Sequence, residues 1–250
     1  MSETTILEAR GLDKHFGHLH VTRSLDLTVQ TGRIHALIGP NGAGKTTALS
    51  LLSGNLAPDA GRVVLNGRDI TLVDLPRRVD MGICRSWQTS SPFAGFNVGE
   101  NVVLSALAAT EKRVRFFPRA SADVDRNSFA RSLLGDVGLT VDPSLPVIEL
   151  DHGARRLLEI AMVLATRPSI LLLDEPMAGL APSDVRVVSD LLLGLKDDHG
   201  LLLVEHDMDV VFTLADEITV LADGAIVASD APDAIRANPV VRALYLQEER

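Results

Sequence analysis

Apolar and polar residues alternate through ILEARGLDKHF (6–16) and HVTRSLDLTVQ (20–30), with Gly17 between them. That period of two predicts an antiparallel pair of strands at the start of the chain. RIHALIG (33–39) is instead continuously apolar, as a buried strand is, and a glycine-rich turn separates it from TTALSLLSG, a predicted helix. GRVVLNGRDI (61–70) reads as a further strand or hairpin. From 88 to 165 β-branched runs thin out, and VGENVVLSALAAT (98–110), SFARSLLGDVG (128–138) and ARRLLEIAMVLAT (154–166) carry helical spacing. Between the first two lies EKRVRFFPRASADVDRNS (111–128), basic then polar, predicted to be a surface loop. Continuous apolar strands return in SILLLDE (169–175) and LLLVEHD (201–207), on either side of a predicted helix, PSDVRVVSDLLLGLKDD (182–198). ITVLADGAIVASD (218–230) predicts a hairpin turning at Asp223-Gly224, and DAIRAN (233–238) a short helix.

Continuous apolar strands belong to a parallel sheet covered on both faces. The expected fold is therefore α/β: a mainly parallel sheet, an N-terminal antiparallel β subdomain and a helical insert. We expect one domain over 1–250, with 1–87 and 166–250 forming its core and 88–165 the helical subdomain.

Composition narrows what such a domain can touch. Of 250 residues 46% are hydrophobic, enough for a sizeable core, and 24 basic against 33 acidic residues leave a net charge of -9. That field repels nucleic acid and anionic lipid, so no nucleic-acid partner is expected and any phosphate site must be built locally. The single cysteine, Cys84, excludes an intramolecular disulfide and suits a reducing compartment, and we read it as structural. MSETTILEAR carries neither a basic n-region nor an apolar h-region, which predicts a cytosolic protein. The apolar runs fall well short of the roughly 20 residues that cross a bilayer, so membrane contact is expected only through a partner.

Local phosphate chemistry is present. GPNGAGKTT, comprising Gly39, Pro40, Asn41, Gly42, Ala43, Gly44, Lys45, Thr46 and Thr47, lies between a predicted strand and a predicted helix. Glycines there let successive backbone N–H groups point inward, Lys45 reaches the β- and γ-phosphates, and Thr46 offers a hydroxyl to Mg²⁺. A second metal ligand and a base are supplied by SILLLDEP: Asp174 ends an apolar strand where it can hold Mg²⁺ through water, and Glu175 can accept a proton from attacking water.

With these motifs in this order, the chain resembles the ATP-binding subunits of ABC transporters over essentially its whole length. The resemblance implies further roles. Phe16 in KHFG stacks on adenine; Gln88 in RSWQTSSPF senses Mg²⁺ and the membrane subunit; AGLAPSD (178–184) crosses a dimer interface; and His206 in VEHD contacts the γ-phosphate. EIAMVLATRPSILLLDEPMAGLAP, LLLVEHDMDVVF and DAIRANPVVRALYL are similar to the subfamily that drives uptake of branched-chain amino acids and related solutes such as urea or amides. Implied partners are a second ATPase subunit, transmembrane permease subunits and, indirectly, a solute-binding protein, with this chain peripheral at the cytoplasmic face of the membrane. The ATPase of a lipid or lipopolysaccharide exporter is the alternative reading, followed by a non-transport ABC protein or a regulatory subunit with little hydrolysis.

LDHGA (150–154) falls where the family's signature motif, usually LSGGQ, opens a helix whose N-terminus and glycine, here Gly153, face the γ-phosphate held by the other subunit. Asp151 stands where serine is usual and Ala154 where glutamine or glutamate is common. Asp151 is a good N-cap for its own helix, but a carboxylate about 4 Å from a phosphate oxygen costs on the order of 4 kcal/mol at an effective dielectric near 20, before screening. The expectation is a chain that hydrolyses ATP poorly alone and pairs with a subunit carrying an intact signature.

Overall fold

The computed structural model describes residues 4–86, 92–108 and 120–246, with only the backbone for 120–126 and 245–246. The chain opens with strands β1 (Ile6–Phe16) and β2 (Leu19–Gln30), the expected antiparallel pair, then β3 (Ile34–Ile38), helix α1 (Lys45–Ser53) and the hairpin β4 (Ala60–Leu65) and β5 (Arg68–Asp69). Next come α2 (Leu75–Asp80), β6 (Ile83–Ser86), α3 (Val98–Ala108), α4 (Ala120–Asp136) and α5 (His152–Leu164). The remainder is β7 (Ile170–Asp174), α6 (Pro182–Leu195), β8 (Gly200–Val204), α7 (Met208–Leu214), β9 (Glu217–Ala222), β10 (Ala225–Asp230), α8 (Pro232–Ala237) and α9 (Pro239–Leu246).

Two sheets result. One is antiparallel, in the order β2-β1-β4-β5; the other runs β10-β9-β3-β8-β7-β6, parallel from β9 to β6 and antiparallel only at β10. Alternate residues of the parallel strands enter different cores. Leu37, Ile170, Leu172, Leu202 and Val204 meet Leu49 and Leu52 of α1 and the inner face of the antiparallel sheet. Leu171, Leu173, Leu201 and Leu203 meet Leu158 and Ala161 of α5 and Val188 and Leu192 of α6. Covering on both faces is why these strands read as unbroken apolar runs. The turn between β9 and β10 places both Asp223 and Gly224 at positive φ, 49° and 80°, the conformation a two-residue hairpin requires.

One expectation is corrected. The segment 111–128 is not wholly a loop, because α4 begins at Ala120. Its apolar stripe, Phe129, Ala130, Leu133 and Leu134, starts only at the end of the polar stretch, so periodicity concealed the first turns. Residues 111–119 lie outside the described residues. Strand β6 and helices α2, α7 and α9 are additions to the elements predicted.

Candidate functional site

Three neighbouring strands of the parallel sheet, β3, β8 and β7, end side by side, and the predicted motifs sit just past those ends. In parallel α/β sheets this carboxyl edge is where ligands bind, and strand spacing near 4.8 Å keeps residues two strands apart within reach of one small molecule.

After β3 the loop at 39–44 is shaped by close backbone approach. At Gly39 an added Cβ would lie 2.1 Å from the Leu221 carbonyl oxygen, and at Gly44, with φ 101°, 2.5 Å from that of Val21. Ala43 is buried and bonded at both ends: its N–H donates to Pro40 O at 3.1 Å and its carbonyl accepts from Gly224 N–H at 3.2 Å. Asn41, Gly42 and Thr46 face solvent, whereas Thr47 is half-buried. Lys45 bends back over the loop and donates from Nζ to the carbonyls of Gly39 and Pro40, the latter at 3.0 Å. Helix α1 starts behind Gly44, which has no side chain to occupy the N–H groups of the first turn.

At the end of β7, Asp174 is 2% exposed and accepts from Arg85 Nη2 at 2.7 Å. Glu175, the next residue, has φ 47°, a left-handed backbone that is uncommon outside glycine. It is held there by its N–H donating to Val204 O at 2.9 Å and its carbonyl accepting from Ala178 N–H at 3.1 Å. At the end of β8, His206 is exposed, with Nδ1 4.0 Å from Glu175 Oε1 and 3.9 Å from Glu205 Oε2. Glu205 itself is buried and ties the two loops together, accepting from Met177 N–H at 2.8 Å and His206 N–H at 3.3 Å. Burial pushes its carboxyl above the usual range.

The structure thus brings Asp174, Glu175 and His206 to strand ends beside the loop that carries Lys45. Phe16 is half exposed at the end of β1 and pairs with Leu19, two residues before the Val21 carbonyl that abuts Gly44. Gln88 lies outside the described residues. Asp151 and Gly153 are elsewhere, at the N-terminus of α5. There Asp151 caps the helix, its Oδ1 accepting from Ala154 N–H at 2.8 Å, and an added Cβ on Gly153 would meet the Asp184 carboxylate at 2.7 Å. His152 Nε2 reaches Ala178 O at 3.3 Å, linking this terminus to the loop after Glu175. Arg85, Glu205 and Asp184 were missed in the sequence reading. Each is recognised by a partner distant in the chain, and an acidic residue beside His206 was the only local signal.

A strand, a glycine loop and a helix, with an acidic pair closing a strand of the same parallel sheet, define a P-loop nucleotide-binding domain. Residues 22–178 match the ABC transporter family, and the chain belongs to it, as an ATPase of that family. The branched-chain amino acid transport ATP-binding protein BraF of Pseudomonas aeruginosa is 34% identical over 253 residues, covering 97% of this chain and 98% of BraF. LivG of Escherichia coli, which bears the same description, is 35% identical over 255 residues, covering 97% and 98%. Among solved structures, an ATP-binding cassette of an ABC transporter in its ADP conformation superposes with a TM-score of 0.86 at 28% identity, covering 97% of this chain and 98% of that one. A nucleotide-free cassette gives 0.85 at 28%, covering 96% and 98%.

Proposed function

We propose that this chain is the ATP-binding and hydrolysing subunit that energises an importer of branched-chain amino acids or related small polar solutes. The observation that carries the reading is the meeting of Lys45, Asp174, Glu175 and His206 at adjoining strand ends, in a chain 34% identical to a protein described by branched-chain amino acid transport. Those descriptions favour import over lipid export.

The phosphates of ATP lie on the N–H groups of residues 42–46, and Lys45 exchanges its loop carbonyls for phosphate oxygens. Gly39, Pro40, Asn41 and Ala43 hold the loop open, Thr47 continues the first helical turn, and Phe16 supports the adenine. The Thr46 hydroxyl, Asp174 and Gln88 would hold Mg²⁺. These are hard oxygen donors, the class that suits Mg²⁺, which takes its remaining ligands from phosphates and water. The chemistry that Mg²⁺ would supply when held there is neutralisation of phosphate charge. Glu175 accepts the proton of the attacking water, and His206 contacts the γ-phosphate.

The site is completed by a second ATPase subunit, whose signature helix covers the phosphates. Membrane permease subunits dock where β6, α3 and α5 enclose an apolar cavity of about 620 Å³, lined by Cys84, Phe93, Phe96, Leu104 and Met162 among others. Helices α3, α4 and α5 belong to the helical subdomain that carries this docking surface, and the chain sits peripherally at the cytoplasmic face. Among the described residues no helix is long and apolar enough to cross a membrane. A solute-binding protein selects the cargo. The test is reconstitution with the permease in proteoliposomes: ATPase activity rises when a binding protein loaded with a branched-chain amino acid is added. Stimulation by lipid alone, or none by any loaded binding protein, overturns the reading.

A further inference from the structure

Arg85 sits on β6 opposite Leu172 of β7, so its side chain shares a sheet face with Leu172 and, two residues on, Asp174. That face is covered by α1. The side chain is 3% exposed and its guanidinium spans from sheet to helix: Nη2 donates to Asp174 Oδ2 at 2.7 Å, and Nη1 to Ser50 Oγ at 2.8 Å. Ser50 Oγ in turn donates to the Thr46 carbonyl at 2.8 Å. A single buried cation thereby connects, through three short bonds, the carboxylate on one side of the metal position and the residue whose hydroxyl flanks the other.

Charge argues that this connection has a use. Taking a carboxylate and a guanidinium out of water costs several kcal/mol per ion, and an apolar pair of similar volume often gives equal or greater stability. A fork of fixed geometry supplies orientation instead. One Asp174 oxygen is committed to Arg85, which fixes the carboxylate and leaves its other oxygen for a metal. Arg85 is also among the residues that line the apolar cavity beside β6, α3 and α5.

We propose that Arg85 is a positioning residue for the metal side of the nucleotide site, fixing Asp174 relative to Thr46 through Ser50. The inference rests on the Mg-ATP reading above. It predicts that Arg85 acts on the advantage that Mg²⁺ gives to nucleotide binding, and leaves metal-free binding at the phosphate loop alone.

The test measures ATP affinity of the full chain in Mg²⁺ and in EDTA, for the unaltered protein and for Arg85→Met, Arg85→Lys and Ser50→Ala. Loss of a residue that orients a metal ligand costs about 10- to 100-fold in metal affinity, so Arg85→Met should cut the Mg²⁺ advantage by about tenfold. Its affinity in EDTA should stay unchanged. Arg85→Lys, which keeps the charge and loses the fork, should recover part of the advantage, and Ser50→Ala should lose about threefold. The EPR spectrum of Mn²⁺ bound with ATP should broaden in both Arg85→Met and Ser50→Ala. Should Arg85→Met unfold, Ser50→Ala, which removes one hydroxyl, decides alone. An unchanged or increased Mg²⁺ advantage, or an equal fall in both media, overturns the proposal. Absence of Mg²⁺-dependent binding in the unaltered protein would overturn the Mg-ATP reading itself, which separates the two failures.

Discussion

Helices α1 and α5 begin with the same asset, a cluster of backbone N–H donors at the positive end of a helix dipole, and treat it in opposite ways. In front of α1 stands Gly44 at φ 101°, without a side chain, and the first turn holds no acid. In front of α5 stands Asp151, whose carboxylate already occupies the Ala154 N–H, with the Asp184 carboxylate against Gly153. One terminus waits for an anion from outside; the other has two of its own beside it. A helix dipole is thus a capacity that the capping residue either leaves available or consumes: Gly44, left-handed at φ 101°, leaves the first turn open, whereas Asp151, extended at φ -68°, turns its carboxylate onto the second terminus.

The sharpest way to break the comparison is at the chemistry beside the open terminus. Glu175→Gln keeps shape and hydrogen-bonding capacity but cannot take a proton, so hydrolysis should fall by about 10²- to 10⁴-fold with ATP binding retained. Single-turnover rates of the dimer or transporter check this, and a fall below about tenfold would move the base elsewhere. Lys45→Ala should come next. It removes a charged hydrogen bond to phosphate, about 3 kcal/mol or roughly 100-fold in ATP affinity by calorimetry. Full affinity in this variant would mean that the open terminus is not the phosphate site.

The far end of α1 sharpens the contrast further. Arg78 is fully buried and donates to the carbonyls of Leu51, Leu52, Ile70, Thr71 and Val73, so a cation closes the negative end of the helix whose positive end is open. Burial pulls its guanidinium down to about 10, which still leaves it charged at neutral pH. Arg78→Met strands those carbonyls and should cost about 3 kcal/mol, lowering Tm by about 6–12 °C for a chain of this size. Thermal unfolding with and without nucleotide reads this. A shift under about 2 °C would show that the carbonyls find other partners.

The open terminus was legible in the sequence and the sealed one only in part. Gly39, Gly44 and Lys45 fall at fixed spacing between an apolar run and a helical pattern, and Asp174-Glu175 closes another apolar run, so local order carried most of the site. Strand β6 was not legible, because Arg85 and Ser86 interrupt its apolar residues; Arg85 is tolerated inside because it finds Asp174, 89 positions away. Helix α7 is only seven residues long, and its signal was the cap at Asp207 more than any stripe. Asp151 as an N-cap followed from residue type, whereas the carboxylate of Asp184 over Gly153 depends on how two helices cross. Long-range pairing is what composition and period leave out.

The smallest expected effect tests the sealed terminus directly. Serine caps a helix about as well as aspartate, so Asp151→Ser should keep Tm within about 2 °C while removing one negative charge from the surface expected to meet a partner subunit's γ-phosphate. A unit charge at 4 Å is worth on the order of 4 kcal/mol at an effective dielectric near 20, and exposure and salt reduce this to about 1.4 kcal/mol, a tenfold faster ATPase rate for the isolated chain. Asp151→Asn separates the two properties of the residue, since it too caps but carries no charge, and it should accelerate hydrolysis to the same degree. The gain should shrink as salt is raised, because the charge is exposed and the Debye length falls from about 10 Å at 0.1 M to about 3 Å at 1 M. Equal rates for all three proteins at low salt would mean that the carboxylate, although it caps the helix, turns no phosphate away.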